Sequence, residues 1–201
     1  WYMGGVRSTW NPIGGIGDVY SADIWKYLTD APLLNHPFTG IPEPERADFT
    51  VTTAGAGSTM TVPADAVLWD AAEDRWRSVG SGVRAKSKVV FDYEDYFGSK
   101  WHHGERITMA DVVYSIAQGY ELAYDPDKSR IEVAIGITSR PFLETFRGYR
   151  IIDDNSIEVY VDYWHFEENL IAGYASPASL STPWEMLAAL DDLVFGQRRA
   201  A

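Results

Sequence analysis

The chain has 201 residues, of which 46% are hydrophobic and 23% are charged, a composition typical of a globular chain and not of a disordered one. Its formal net charge of −12 argues against binding to nucleic acid or to anionic membrane surfaces, because both require a basic face. The absence of cysteine excludes disulfides, thiolate metal sites and cysteine nucleophiles.

The predicted elements of the first third are few and short. Residues 9–17 are expected to form a loop, because an Asn-Pro pair and three glycines exclude a regular element. A helix follows, since Tyr20 and Ile24 lie at helical spacing. An extended connection rich in proline covers residues 35–48, and the alternation of residues 49–53 predicts a strand.

The middle of the chain carries clearer signals. Residues 66–69 and 76–79 are predicted to pair as a hairpin around a polar turn. Residues 87–93 alternate strictly, which indicates a strand with one apolar face. The strongest helix begins at Thr108, where Asp111 follows three positions later in a pattern close to a capping box.

That helix is expected to end at Asp125 and Pro126. A short helix led by a proline is predicted over residues 140–147. Residues 149–152 and 157–163 alternate on either side of an Asp-Asp-Asn-Ser turn, which predicts a second hairpin.

The last predicted elements are a helix over residues 166–172, a loop over residues 174–177 and a final helix. The final helix opens with a capping box over residues 182–185 that has Pro183 at the first helical position, and it runs to about Val194. Strands and helices mix without a regular βαβ rhythm, so the predicted fold class is mixed α/β, an α+β lobe.

The residue clusters that suggest catalysis or metal binding are weak. Residues 101–105 hold two histidines and a glutamate, but adjacent side chains diverge and Gly104 favours a turn, so we predict no metal site. Asp92 and Glu94 lie where a strand runs into a turn, which favours surface carboxylates over a catalytic pair. Residues 14–17 lack the spacing and the Lys-Ser/Thr end of a phosphate loop. We predict no enzymatic activity and no cofactor.

One segment resembles a known family. Residues 100–115 read Lys-Trp-His-His-Gly-Glu-Arg-Ile-Thr-Met-Ala-Asp-Val-Val-Tyr-Ser. This run is similar to the signature of family 5 extracellular solute-binding proteins, the oligopeptide-, dipeptide- and nickel-binding components of ABC importers. His103 stands where the family usually has aspartate, and Met109 replaces a small residue. Residues 10–28, 89–93 and 152–159 resemble further family segments in the same order.

The resemblance implies a two-lobe, periplasmic-binding-protein-like architecture of class II, with ligand held between the lobes. The 201 residues would be a single fragment, the first lobe, with an opening strand-and-helix segment over about 1–60 and a mixed segment over 61–201. The second lobe would be absent. Since the sequence opens at Trp1, we expect that an export signal has been removed.

The implied function is capture of a peptide-like or other small solute for an ABC importer, without catalysis. The implied partners are that solute and a membrane permease, and the implied location is extracellular or periplasmic, with a membrane anchor in the full-length protein. The alternative is a cell-surface carbohydrate-binding or adhesion module, because the 8 Trp, 12 Tyr and 8 Phe residues suit stacking on sugars as well as a ligand cleft or a core.

The resemblance also implies which residues face the ligand. They lie in the glycine-rich loop after the first strand, just past the signature helix, and in the loop after the later hairpin and helix. The predicted ligand-binding residues are Gly15, Ile16, Gly17, Asp18, Tyr124, Ser176 and Pro177.

Overall fold

The structure, a computed structural model, describes residues 31–131, 133–177 and 180–199, together with positions 10, 11, 13, 15, 16, 20, 21 and 24. The strands are β1 (Trp10–Asn11), β2 (Gly15–Ile16), β3 (Leu33–Asn35), β4 (Pro42–Pro44), β5 (Asp48–Thr53), β6 (Met60–Thr61), β7 (Val67–Asp70), β8 (Arg75–Ser78), β9 (Arg84–Ala85), β10 (Ser87–Asp92), β11 (Phe146–Ile151) and β12 (Ser156–Val161). The α-helices are α1 (Glu94–Phe97), α2 (Met109–Tyr124), α3 (Pro126–Ile131), α4 (Val133–Leu143), α5 (Glu168–Ala175) and α6 (Trp184–Asp191), and a π-helical turn covers Asp192–Gly196.

Six strands form the central sheet in the order β5-β10-β12-β11-β7-β8. Its neighbours pair antiparallel throughout, as do the three small two-stranded sheets. The predicted mixed α and β fold class is therefore confirmed, with antiparallel sheets. No helix within the described residues is long and apolar enough to cross a membrane.

One face of the sheet is the apolar core. In the adjacent strands β10 and β12, Val89 pairs with Val159 and Phe91 with Ile157, so four large side chains point to the same side. Helices α2 and α5 contribute to the same buried cluster, with α2 presenting residues at helical spacing. The members from α2 and α5 are Val112, Ile116, Tyr120, Ile171, Ala172 and Ala175.

The opposite face of the sheet is covered by the segment that contains β6 and β9. Val62, Ala66 and Ala85 pack there against Tyr160 in a second buried cluster. All six residues of β12 are consequently buried, although their sequence alternates between apolar and polar side chains. Gly148 permits the close approach, because a Cβ at its φ of +156° would lie 2.9 Å from the Cβ of Ala66.

Helix α2 confirms the strongest sequence prediction. It runs from Met109 to Tyr124, and Asp111 Oδ2 accepts a hydrogen bond of 2.8 Å from the N–H of Thr108. The other carboxylate oxygen of Asp111 accepts 2.9 Å from the N–H of Trp184. One buried carboxylate therefore joins the starts of α2 and α6.

Two segments predicted as irregular contain short hairpins. Within residues 9–17, which were expected to form a loop, Trp10 pairs with Ile16 and Asn11 with Gly15. Within the expected extended connection, β3 pairs with β4. The second hairpin closes because the N–H of Gly40, at φ +70°, donates to the carbonyl of His36. The predicted helix that starts near Tyr20 lies largely outside the described residues.

The region after α2 is more helical than the sequence suggests. Asp125 and Pro126 end α2 as predicted, but they also begin α3, because Asp125 Oδ1 accepts the N–H groups of Asp127 and Lys128 at 2.9 and 2.8 Å. The helix predicted over residues 140–147 is wrong in its bounds: α4 starts at Val133, carries Pro141 inside its last turn and ends at Leu143.

The C-terminal predictions are confirmed in type and corrected in detail. Tyr174, expected in a loop, belongs to α5. The N-cap of α6 is Pro183, which has no side-chain cap, so the predicted capping box does not form. The side chain of Asp111 accepts the hydrogen bond from the N–H of Trp184 instead. The α-helix ends at Asp191, and the π-helical turn carries the chain on to Gly196.

Candidate functional site

Two grooves lie on either side of the β7–β8 hairpin, where β7 packs against α2, and Trp69 lines both. The Tyr124 groove has a volume of about 590 Å³, and its polar and aromatic lining includes Asp70, Arg77, Tyr124, Glu144 and Arg147. The Trp184 groove has a volume of about 520 Å³, and its lining includes Trp69, Asp74, Trp76, Tyr114, Glu121, Lys128, Trp184 and Asp191. Both volumes suit a small ligand.

Of the predicted ligand-binding residues that the structure describes, Tyr124 alone lines either groove. It is the last residue of α2 and not a residue beyond it. Its ring stacks on Tyr120 with 6.1 Å between centroids, and the Arg140 guanidinium lies 5.5 Å from its centroid. These contacts fix the orientation of the ring while 37% of the residue stays exposed.

The charges of the Tyr124 groove are balanced, with two carboxylates and two guanidinium groups. Arg77 donates to Asp70 Oδ2 over 2.6 Å, and this hydrogen bond lowers the pKa of the Asp70 carboxyl. Arg147 pairs with Asp162 at 3.2 Å. A groove with this balance suits a neutral or zwitterionic ligand better than a strongly charged one.

The Trp184 groove is lined by aromatic residues from the hairpin, α2 and α6. Trp69 and Trp76 form a cross-strand pair on the hairpin, with centroids 5.3 Å apart in an edge-to-face arrangement. Tyr114 from α2 lies 6.1 Å from Trp184 at the start of α6. Since Trp184 is 38% exposed, the wall that it forms is accessible from solvent.

An ion cluster also lines the Trp184 groove. Lys128 Nζ contacts Glu121 and lies 2.5 Å from Asp191 Oδ2. Burial disfavours the charged form of Lys128, but the hydrogen bonds with Asp191 and Glu121 outweigh it and raise the pKa of the ammonium. Burial, with a further contribution from Asp74, raises the pKa of Glu121. Negative charge is thus in excess around this lysine.

The other predicted site residues line neither groove where the structure describes them. Gly15 and Ile16 form β2, while Gly17 and Asp18 lie outside the described residues. Ser176 is the C-cap of α5 and Pro177 follows it, and neither lines the two grooves. Their proposed contact with ligand stays a prediction.

The signature segment builds structure around α2. The N–H of Trp101 donates to the carbonyl of Glu105, and Gly104 turns the chain at φ +102°. His102 and His103 are exposed on this turn. Within the described ranges no group of three or more His, Asp or Glu residues is placed to hold a metal ion.

Sequence reasoning missed the Trp184 groove. Its walls come from the hairpin, from α2 and from α6, and no local pattern relates Trp76, Tyr114 and Trp184. The available signal was the density of aromatic residues, which suits a ligand cleft and a core equally well.

Comparison with known proteins does not add to the functional assignment of this chain. The chain matches no protein-family model, and no curated protein matches it.

Proposed function

We propose that this chain is the first lobe of a two-lobe solute-binding protein that captures a peptide-like or other small solute for an ABC importer. The proposal rests on residues 100–115, whose sequence resembles the family signature. Within that segment, Gly104 turns the chain and Asp111 caps α2.

The proposed mechanism is non-catalytic. In a two-lobe binder, solute bound between the lobes stabilises a closed form through hinge motion, and the closed form docks on the membrane permease. The balanced, aromatic Tyr124 groove is a surface on this lobe that such a solute can contact. The proposed location is extracellular or periplasmic, with a membrane anchor in the full-length protein.

Native mass spectrometry tests the proposal. The natural full-length protein and this chain alone are purified in parallel and sprayed under gentle conditions. We expect a small solute to remain on the full-length protein and not on the chain alone, because the second lobe supplies part of the site. A solute held equally well by the chain alone would contradict the two-lobe assignment.

A carbohydrate-binding or adhesion module is the second candidate, favoured by the exposed indole rings of Trp164 and Trp184, 36% and 38% accessible. Affinity electrophoresis of this chain in gels that contain soluble polysaccharide separates the two candidates. Retardation that is lost in a Trp184→Ala variant supports the surface module, and unretarded migration supports the transport assignment.

A further inference from the structure

The Trp184 groove combines two features that independently favour a positively charged ligand. Its lining includes the aromatic side chains of Trp69, Trp76, Tyr114 and Trp184. Aromatic rings carry a negative face that attracts ammonium and guanidinium groups, and indole does so most strongly. An aromatic groove alone would also accept a neutral apolar ligand, so the charged residues of the groove determine which ligand charge it favours.

The charged groups of the groove leave it negative. Asp74, Glu121 and Asp191 contribute three carboxylates against the single ammonium of Lys128, a formal charge of −2. The three carboxylates come from the hairpin, from α2 and from α6. All three lie close enough to Tyr114 to add to the effect of burial, and burial and the carboxylates together raise the pKa of its hydroxyl to about 12. An anionic ligand would therefore be repelled.

Lys128 shows that this cluster stabilises an ammonium group. Its side chain is only 18% exposed, and Glu121 and Asp191, at 16% and 14%, are equally withdrawn from water. The third carboxylate, Asp74, lies in the turn of the hairpin and lines the groove beside Glu121. A second cation can bind next to this carboxylate, beside the internal lysine.

We propose that the Trp184 groove binds a small organic cation that carries a guanidinium or ammonium group on a flat apolar body. The cationic head lies against Asp74 and the excess carboxylate charge, and the apolar body lies between Trp76 and the Tyr114–Trp184 pair. The proposal concerns this lobe alone, and it does not depend on transport or on a second lobe.

Two isosteric probes separate the charge from the shape. Benzylguanidinium and neutral benzylurea are titrated into the ¹⁵N-labelled chain, and the indole N–H signals of Trp69, Trp76 and Trp184 are followed by NMR. We expect saturable shifts with benzylguanidinium at a Kd of about 1 mM, and binding of benzylurea weaker by about tenfold. Equal binding of the two probes, or no saturable shift with either, would overturn the proposal.

Matched substitutions on the hairpin turn locate the site. Asp74→Asn removes one charge without straining the backbone, because asparagine tolerates the φ of +50° found there. We expect it to weaken benzylguanidinium binding by about fivefold. Glu73→Gln changes the neighbouring acidic residue, which pairs with Arg75 outside the groove, and should leave Kd unchanged. Equal effects of the two substitutions would refute binding at Asp74.

The outcome is independent of the native mass spectrometry above, because a ligand with millimolar affinity does not survive purification. Loss of the probe result would remove the cation site and leave the transport proposal intact. Absence of a co-purified solute would remove the support for the transport proposal and leave the cation site intact.

Discussion

The two faces of the central sheet are both covered, but by different physical means. On the face under α2 and α5, apolar side chains such as Val89, Phe91 and Val159 are fully buried. On the other face, the buried carboxylate of Glu158 is surrounded by donors from its own strand and from the two neighbouring strands. The difference shows that an alternating strand identifies its two faces without revealing whether the polar face meets water.

The polar face is stabilised by a network centred on Glu158. Lys88 Nζ lies 3.1 Å from Glu158 Oε1, while Arg150 Nε and the Tyr160 hydroxyl each donate over 2.7 Å to Oε2. Only 6% of the Glu158 side chain is exposed, so these donors replace the water that the carboxylate loses. The apolar face gains stability from buried area, and this face from satisfied hydrogen bonds.

The largest expected loss of stability comes from a substitution on the apolar face. Phe91→Ala removes a ring with 0% exposure that stacks near Tyr93 and leaves a cavity under α2. We expect a loss of about 4 kcal/mol in the free energy of unfolding, measured by urea denaturation followed by circular dichroism. Phe38→Ala is the control, because Phe38 is 94% exposed and its loss should be nearly neutral. Similar losses for the two variants would contradict the assignment of the core.

The second largest loss of stability is expected where the segment that contains β6 and β9 packs against the polar face of the sheet. Gly148→Ala places a Cβ 2.9 Å from that of Ala66, at a φ of +156° that a non-glycine residue rarely adopts. We expect a loss of about 3 kcal/mol from backbone strain and overpacking. Gly57→Ala has open space around its Cβ and serves as the control in the same urea series. A neutral Gly148→Ala would mean that the segment packs more loosely.

Glu158→Gln tests the network directly, with an expected loss of about 2 kcal/mol at pH 7. Burial raises the pKa of Glu158, but hydrogen bonds from Arg150, Tyr160 and Lys88 outweigh it, and the net shift is downward. A depressed folded-state pKa stabilises the fold above the unfolded-state pKa of about 4.3 and ceases to do so as pH falls through the folded value. The difference between the two proteins should therefore shrink below about pH 4 in urea denaturation. A difference independent of pH would contradict the network.

Local signals in the sequence predicted the elements, and contacts between distant segments decided what they do. Thr108 and Asp111 predicted the start of α2, and strict alternation predicted β10. Helix capping and the alternation of side chains along a strand both depend on neighbours within four residues. The second hydrogen bond of Asp111, to Trp184, has no local signature. The two grooves could not be predicted for the same reason. The hairpin and α2 meet α6 at the Trp184 groove, and residues 143–147 at the Tyr124 groove, only when the chain packs.

The smallest expected effect comes from a second acid–arginine pair on the same two strands. Asp162 directly follows β12 and pairs with Arg147 of β11 at 3.2 Å, as Glu158 pairs with Arg150 at 2.7 Å. The Asp162 side chain is 35% exposed and that of Glu158 is 6% exposed, so water and salt screen the first pair far more. Asp162→Asn should cost about 0.5 kcal/mol or less in urea denaturation, and the loss should fade with added salt. If Asp162→Asn cost as much as Glu158→Gln, burial would not be what separates the two acid–arginine pairs.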